Sequence, residues 1–378
     1  MGLSACTVLL CAVTISAQTD VLPLILDMDT GIDDAEALML ALSEAAAAKY
    51  QLVGVVISDG NIDLENAKKN VRAVLHACEA FDRVPVYEGV PTSKGAQERA
   101  SGAYYSGEDG LGNAQSFMRQ PPTSCSFSQG MTGKDFLLES SKTHQDSLTV
   151  ITLGGLSTLA AAIEADADFL SRLRRVVVMG TTMWPDGIAW NLKVDPPAAK
   201  RVFEAFESSG GDNVIVVPSD DVLFRRLGKV CTPKSHMVYL MRRDRSVPYN
   251  DPQSTLAFMT HDTTAVMAGL FYDESVQEAD KHRITIDDKG GTKFGEAGRG
   301  LLVVKRLKQN LLTFGNPYFL LISSSKLRKA VYDTFMRNTA ATTTQLRAAA
   351  GTEKSPQIGR VQMQNYVGEN ELQQHSKN

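Results

Sequence analysis

Short apolar runs alternate with longer stretches in which apolar residues recur at helical spacing. The runs are LPLIL (22–26), LVGVVI (52–57), VPVY (84–87), LTVITL (148–153), RVVVM (175–179) and NVIVVP (213–218). They are rich in β-branched residues and nearly continuous in hydrophobicity, which is the pattern of strands covered on both faces. The stretches 35–48, 62–80, 156–165 and 196–207 carry the helical period. Strand and helix in alternation predict an α/β fold: an open, mostly parallel, Rossmann-like sheet with helices on both faces. Ligands of such sheets sit beyond the carboxyl ends of the strands, so the active site is expected there. Residues 284–305 read as a hairpin with a glycine-rich connection.

The segments that follow the runs are polar and glycine-rich: DMDTGIDD (27–34), SDGN (58–61), GGLST (154–158) and GTTMWPDGIAWN (180–191). The first holds Asp27, Asp29, Asp33 and Asp34 within eight positions. Carboxylates crowded at the end of a buried strand repel, and fold stability alone does not call for them. A helix cap accounts for Asp33 or Asp34, because a helix N-terminus favours a carboxylate. It leaves Asp27 and Asp29 unexplained. A hard divalent cation such as calcium, which takes six to eight oxygen ligands, explains the group. Gly31 allows the tight turn, Asp29 and Asp34 reach one ion across it, and Asp33 is left for a ligand hydroxyl. An EF-hand is excluded, since its aspartate and terminal glutamate spacing is absent.

Composition narrows the partners. The 378 residues are 43% hydrophobic and 22% charged, enough for one large α/β domain or two smaller ones. A net charge of -4 without a basic stripe excludes nucleic acid as an expected partner. The N-terminus, MGLSACTVLLCAVTISAQ, has an apolar stretch at 5–15 that is too short to span a bilayer. With Ser16 and Ala17 after it, residues 1–17 read as a signal peptide, which predicts a secreted or endomembrane (vacuolar) protein with no membrane partner. One folded domain is then expected over 18–338, and the polar stretch 339–378 is expected to be disordered. Of five cysteines, Cys78, Cys125 and Cys231 lie outside that leader and show no CxxC spacing, against a zinc site or a disulfide framework. Residues 91–130, with SGEDGLGN at 106–113, are long enough for a lid or an insertion.

Asp27-Met28-Asp29-Thr30-Gly31-Ile32-Asp33-Asp34-Ala35 resembles the opening motif D-x-D-P-G-x-D-D-A of the calcium-dependent nucleoside hydrolases, the inosine–uridine-preferring group and its purine-specific relatives. Thr30 replaces the proline. The resemblance extends over about residues 21–310. VVISDGNIDLENAKKN, DGLGN (109–113), ITLGGLSTLA, VVVMG, AWNLKVDPPAA and THDTTAV (260–266) each match a family segment. The aspartate motif of dehalogenase-like phosphatases fits less well, because its fifth position is Gly31 here.

The resemblance implies hydrolysis of the N-glycosidic bond of purine or pyrimidine ribonucleosides through an oxocarbenium-like transition state. It implies calcium held by Asp29, Asp34, Asp262 and the Leu153 carbonyl. Asp29 is then also the general base, and His261 the acid that protonates the leaving base. Asp33 and Asn191 hold ribose hydroxyls, Met179 lies under the sugar, Asn61 is near ribose or base, and Asp27 braces the turn by hydrogen bonds. Trp184 is the stacking candidate. Relatives form homodimers or homotetramers, which is the assembly expected by analogy. Two departures touch substrate contacts: Ala189 stands where the family has glutamate, and Ser106 where it has a loop histidine. Base preference stays open, because the ENxxxN element leans to purines and His261 to pyrimidines. Two alternatives also stay open: a magnesium-dependent phosphatase with a nucleophilic Asp27, and a nucleoside-binding relative without turnover.

Overall fold

The computed structural model describes residues 21–93, 106–112, 115, 130–183, 187–219 and 261–308. The signal-peptide reading, Trp184, Cys125, Cys231 and the segment 339–378 lie outside the described residues.

The first apolar run forms β1 (Leu22–Met28), which pairs in parallel with β2 (Tyr50–Ile57) on one side and β4 (Thr149–Thr152) on the other. β3 (Val86–Glu88) extends the sheet beyond β2, while β5 (Arg175–Met179) and β6 (Val214–Val217) extend it beyond β4. The remaining strands are β7 (Val276–Ile286), β8 (Thr292–Ala297) and β9 (Leu301–Leu307). The order across the sheet is β3-β2-β1-β4-β5-β6-β9-β7-β8. All six apolar runs are strands. The predicted hairpin belongs to a three-stranded antiparallel ribbon, in which β9 also pairs in parallel with β6. The first half of β7, VQEADKH, escaped notice because it is largely solvent-facing and charged.

The helices are α1 (Ile32–Ala41), α2 (Glu44–Ala47), α3 (Leu64–Ala77), α4 (Gly133–Thr143), α5 (Ser157–Ala165), α6 (Trp190–Lys193), α7 (Pro196–Ser208), α8 (His261–Leu270) and α9 (Tyr272–Ser275). The predicted helix 35–48 is thus two helices, α1 and α2. Thr132, Asp63 and Asp195 cap α4, α3 and α7 by accepting from backbone N–H groups three residues on. α8 carries no helical period in its sequence. Its residues from Asp262 to Leu270 are all buried, so no polar face marks the repeat.

Alternation along β1 sorts the core into two layers. Leu24, Leu26 and Met28 pack with residues of α1, α3 and α8, whereas Ile25 packs with residues of α4, α5 and α7. Asp27 shares the face of Ile25, in register with Thr152 of β4 and Val56 of β2. No described helix is long and apolar enough to cross a membrane.

Candidate active site

Strand order turns around at β1. The chain moves from β1 outward through β2 and β3, then returns to the other side of β1 at β4. The carboxyl ends of β1 and β4 therefore flank the switch point, where crevices form in such sheets. The Asp29–Asp34 turn leaves β1 at that place, and Leu153 leaves β4 beside it.

Asp29, Asp34 and Asp262 are fully buried, with Asp33 partly exposed among them. Asp33, Asp34 and Asp262 each present an oxygen within 4.8 Å of the other two. Asp29 belongs to the same group, since its charge acts on both Asp34 and Asp262. Asp29 is held from outside the turn as well: Asn61 donates its backbone N–H to Oδ2 at 2.8 Å and its amide Nδ2 to Oδ1 at 2.9 Å. The trio at metal-ligand spacing among the described residues is Asp33, Asp34 and Asp262, with Asp29 beside it.

The turn itself differs from expectation. Gly31 has φ -78 and ψ -169, an extended conformation open to any residue. The left-handed residue is Thr30, at φ 51. A proline, fixed near φ of about −65°, does not fit that conformation, so this turn differs from one that carries the family's proline. Gly31 is needed for space: a Cβ there would lie 2.6 Å from Asn61 Nδ2. Asp34 sits in the first turn of α1 and accepts the Gly31 N–H at 2.7 Å, so capping and cluster use one carboxylate.

Asp27 does not brace the turn by side-chain bonds. Both its carboxyl oxygens are buried without a hydrogen-bond partner, while its backbone carbonyl accepts the Leu153 N–H at 2.7 Å. Burial, followed by the nearby Asp29 charge, pushes its pKa up to about 8. Burial raises Asp29 to about 6 against the lowering effect of the Asn61 bonds. Asp34 and Asp262 are held well above the usual carboxylate range by burial and by their neighbours' charges.

The remaining candidates surround this cluster. His261 opens α8 immediately before Asp262, and its Nδ1 lies 4.0 Å from Asp33 Oδ2. Asn191, buried in α6, donates Nδ2 to the carbonyls of Leu153 and of Met179, the latter at 3.1 Å. It thereby ties the ends of β4 and β5 together. The Leu153 oxygen keeps a second lone pair beside that bond. Ala189 is buried at the N-cap of α6, with no polar side-chain atom to offer. Ser106 is buried near Gly31, with Oγ 3.1 Å from where a Gly31 Cβ would stand.

Two supporting residues were not singled out from the sequence. Asn70, the last residue of ENxxxN, donates to the carbonyls of Thr30 at 3.2 Å and Asp109 at 2.7 Å, pinning the DGLG segment to the aspartate turn. Asp195 accepts from Ser93 Oγ at 3.0 Å, from Ser157 Oγ at 2.5 Å and from Ala198 N–H at 3.2 Å, joining three loops at the carboxyl edge. The DPPAA signature carried its signal as a helix cap.

Gly60 approaches the cluster so closely that a Cβ there would stand 2.0 Å from Asp29 Oδ2. Gly60→Ala is expected to displace Asp29 and weaken divalent-cation binding at least about tenfold, the scale of outer-layer changes at metal sites. Isothermal titration calorimetry checks this. Unchanged affinity would show that Asp29 placement is irrelevant to the ion.

A family model described as inosine-uridine preferring nucleoside hydrolase matches residues 24–326. Among curated relatives, uridine nucleosidase 1 of Arabidopsis thaliana is 31% identical over 201 residues, 51% of this chain and 55% of the relative. The pyrimidine-specific ribonucleoside hydrolase RihA of Klebsiella pneumoniae is 27% identical over 222 residues, 55% of this chain and 67% of the relative. The chain thus spans about half the length of the first of these and two thirds of the second. Solved structures share the fold. A plant nucleoside hydrolase, PpNRh1, superposes with TM-score 0.60 at 22% identity, covering 82% of this chain and 98% of that one. A purine-preferring ribonucleoside hydrolase from Gardnerella vaginalis gives 0.60 at 19% identity, covering 83% and 99%. With the aspartate cluster at the β1/β4 switch point and a family match over most of its length, the chain belongs to the inosine-uridine preferring nucleoside hydrolase family.

Proposed function

We propose that this protein hydrolyses the N-glycosidic bond of ribonucleosides, releasing ribose and the free base, with calcium as its resident cation. The observation that carries the reading is the convergence of Asp29, Asp33, Asp34 and Asp262 with His261 at one sheet edge. The donor set suits a hard cation. It is all oxygen, and Asp34 Oδ1 and Asp262 Oδ1 are buried with no hydrogen-bond donor. Asp29, Asp34, Asp262 and the Leu153 carbonyl are the proposed ligands. When bound, calcium supplies a Lewis acid that lowers the pKa of a water and takes up sugar hydroxyls.

The side chains do the rest. As the glycosidic bond lengthens, positive charge develops on the ribosyl group, and the surrounding carboxylates stabilise it. Asp29 takes a proton from the attacking water while Asn61 fixes its orientation. Asp33 accepts hydrogen bonds from ribose hydroxyls, with Asn61, Met179 and Asn191 forming the walls of the sugar site. Trp184 stacks on the base. His261 gives a proton to the departing base. The phosphatase alternative gives no role to His261 and Asp262, which stand against Asp33 and Asp34 in the same cluster. A homodimer or homotetramer is the proposed assembly, and secretion or endomembrane residence the proposed location.

Incubation with uridine and inosine, with calcium or with a chelator, tests the proposal. Free ribose should appear only with calcium. Nucleoside binding without ribose would instead establish a binding protein, and phosphate release from p-nitrophenyl phosphate a phosphatase. For His261→Ala, uridine hydrolysis should fall about a hundredfold, the lower range for a general acid. Cleavage of p-nitrophenyl riboside, whose leaving group departs as a stable anion, should be spared. Equal losses on both substrates would remove His261 from proton transfer.

A further inference from the structure

A second concave site lies at the opposite, amino end of the sheet. Its volume is about 380 Å³, within the size range of small-molecule pockets. Leu22 at the start of β1, Tyr50 at the start of β2, Arg174 and Arg175 at the start of β5, and Tyr272 of α9 line it. The carboxylate cluster stands at the other end of these same strands, so the two sites are separate.

The cations of this cleft are unequally matched. Lys49 pairs with Glu274 at 2.6 Å. Arg175 donates to the Gly269 carbonyl at 2.7 Å, and burial, followed by the charge of Arg174, lowers its pKa. Arg174 makes no ion pair among the described residues, and its Nη1 is buried without any hydrogen-bond partner. A half-buried guanidinium whose Nη1 lacks an acceptor, beside a second guanidinium, is electrostatically costly. An oxyanion would relieve both, because the planar fork of arginine matches phosphate and carboxylate geometry. Asp273 is at the rim of the same cleft and limits its positive charge, which favours a ligand of low charge. Tyr50, Tyr272, Leu22 and Leu270 offer the rest of such a ligand an aromatic and apolar wall.

We propose that this cleft binds a small oxyanion ligand, a phosphate or carboxylate group carried on an aromatic or apolar body, with Arg174 as its anchor. The proposal is independent of the hydrolase reading. It is tested by calorimetry on the Asp29→Asn protein in metal-free buffer, with uridine 5′-monophosphate as the probe. Saturable binding is expected, with competition by inorganic phosphate but not by uridine. Competition by 4-nitrobenzoate would extend the site to carboxylates, and its absence would restrict it to phosphates. Arg174→Ala should weaken binding at least tenfold, and Arg174→Lys should keep part of it, with thermal melts confirming that both variants fold. Absence of saturable binding by every probe, equal affinity in Arg174→Ala, or displacement by uridine would overturn the proposal. Ribose release by the parent protein is measured separately, so failure of one reading leaves the other standing.

Discussion

Asp29→Asn is expected to release ribose from uridine at least about a thousandfold more slowly than the parent protein, within the range for removing a general base. The substitution keeps shape and removes one negative charge. It takes away the proposed proton acceptor and a proposed cation ligand at once. It also disturbs orientation. Asn61 presents a donor to each Asp29 oxygen, Nδ2 to Oδ1 and the backbone N–H to Oδ2. In asparagine one of those oxygens becomes an NH₂ group, which faces a donor and cannot bond it.

Stability should move the other way. Asp29 is buried among Asp27, Asp33 and Asp34, and its charge raises the pKa of both Asp27 and Asp34. Removing that charge relieves repulsion, so the metal-free Asp29→Asn protein should melt at a higher temperature than the metal-free parent. A loss of activity with a raised melting temperature marks a residue kept for chemistry at the cost of stability. A lowered melting temperature would attribute the lost activity to misfolding, and retained ribose release would end the role assigned to Asp29.

Much of the fold was legible because the central strands are apolar on both faces. Ile25 and Leu26 point to opposite sides of the sheet and are both buried, so β1 reads as a continuous run. The parts that were not legible fail that test in opposite ways. α8 is buried on every side and loses its helical period, whereas β7 is half exposed and charged and loses its strand signature. The site was legible through the aspartate spacing, since one turn must carry Asp29, Asp33 and Asp34 together. Asp262 arrives from α8, far along the chain, and only the family resemblance placed it there. Local conformation was not legible at Thr30. A β-branched residue at φ 51 is an outlier that no local pattern predicts, and it is sustained by the packing around it. Nor did spacing show that Asn61 would engage both Asp29 oxygens, because that contact joins loops from two strands.

The metal-free protein should lose stability as pH rises from about 5 to 8, and calcium should reverse the trend. The sign follows from proton counts. Asp29 is raised from 3.8 to about 6 and Asp27 from 3.8 to about 8 on folding, and Asp34 and Asp262 are raised as well. Between the unfolded and folded values the native state holds more protons than the unfolded chain, so stability falls with rising pH. The surface carboxylates of Asp135, Asp166, Asp212, Asp280 and Asp287 are lowered by their partners and act in the opposite direction, but only in acid. Calcium binds the deprotonated native cluster and stabilises it by mass action, about 2.7 kcal/mol at a hundred times its dissociation constant. The gain in melting temperature on adding calcium should therefore grow from pH 5 to pH 8, because protons compete for the same oxygens. Asp27 separates the two causes. Its carboxyl has no partner and is not among the proposed ligands, so Asp27→Asn should flatten the metal-free pH slope above pH 6 while leaving calcium affinity nearly unchanged. Melting curves at several pH values, with calcium or with a chelator, decide the matter. A metal-free melting temperature that is flat or rising over this interval would mean that the cluster is not the buried, proton-sharing group described, and that the ion does not answer its charge.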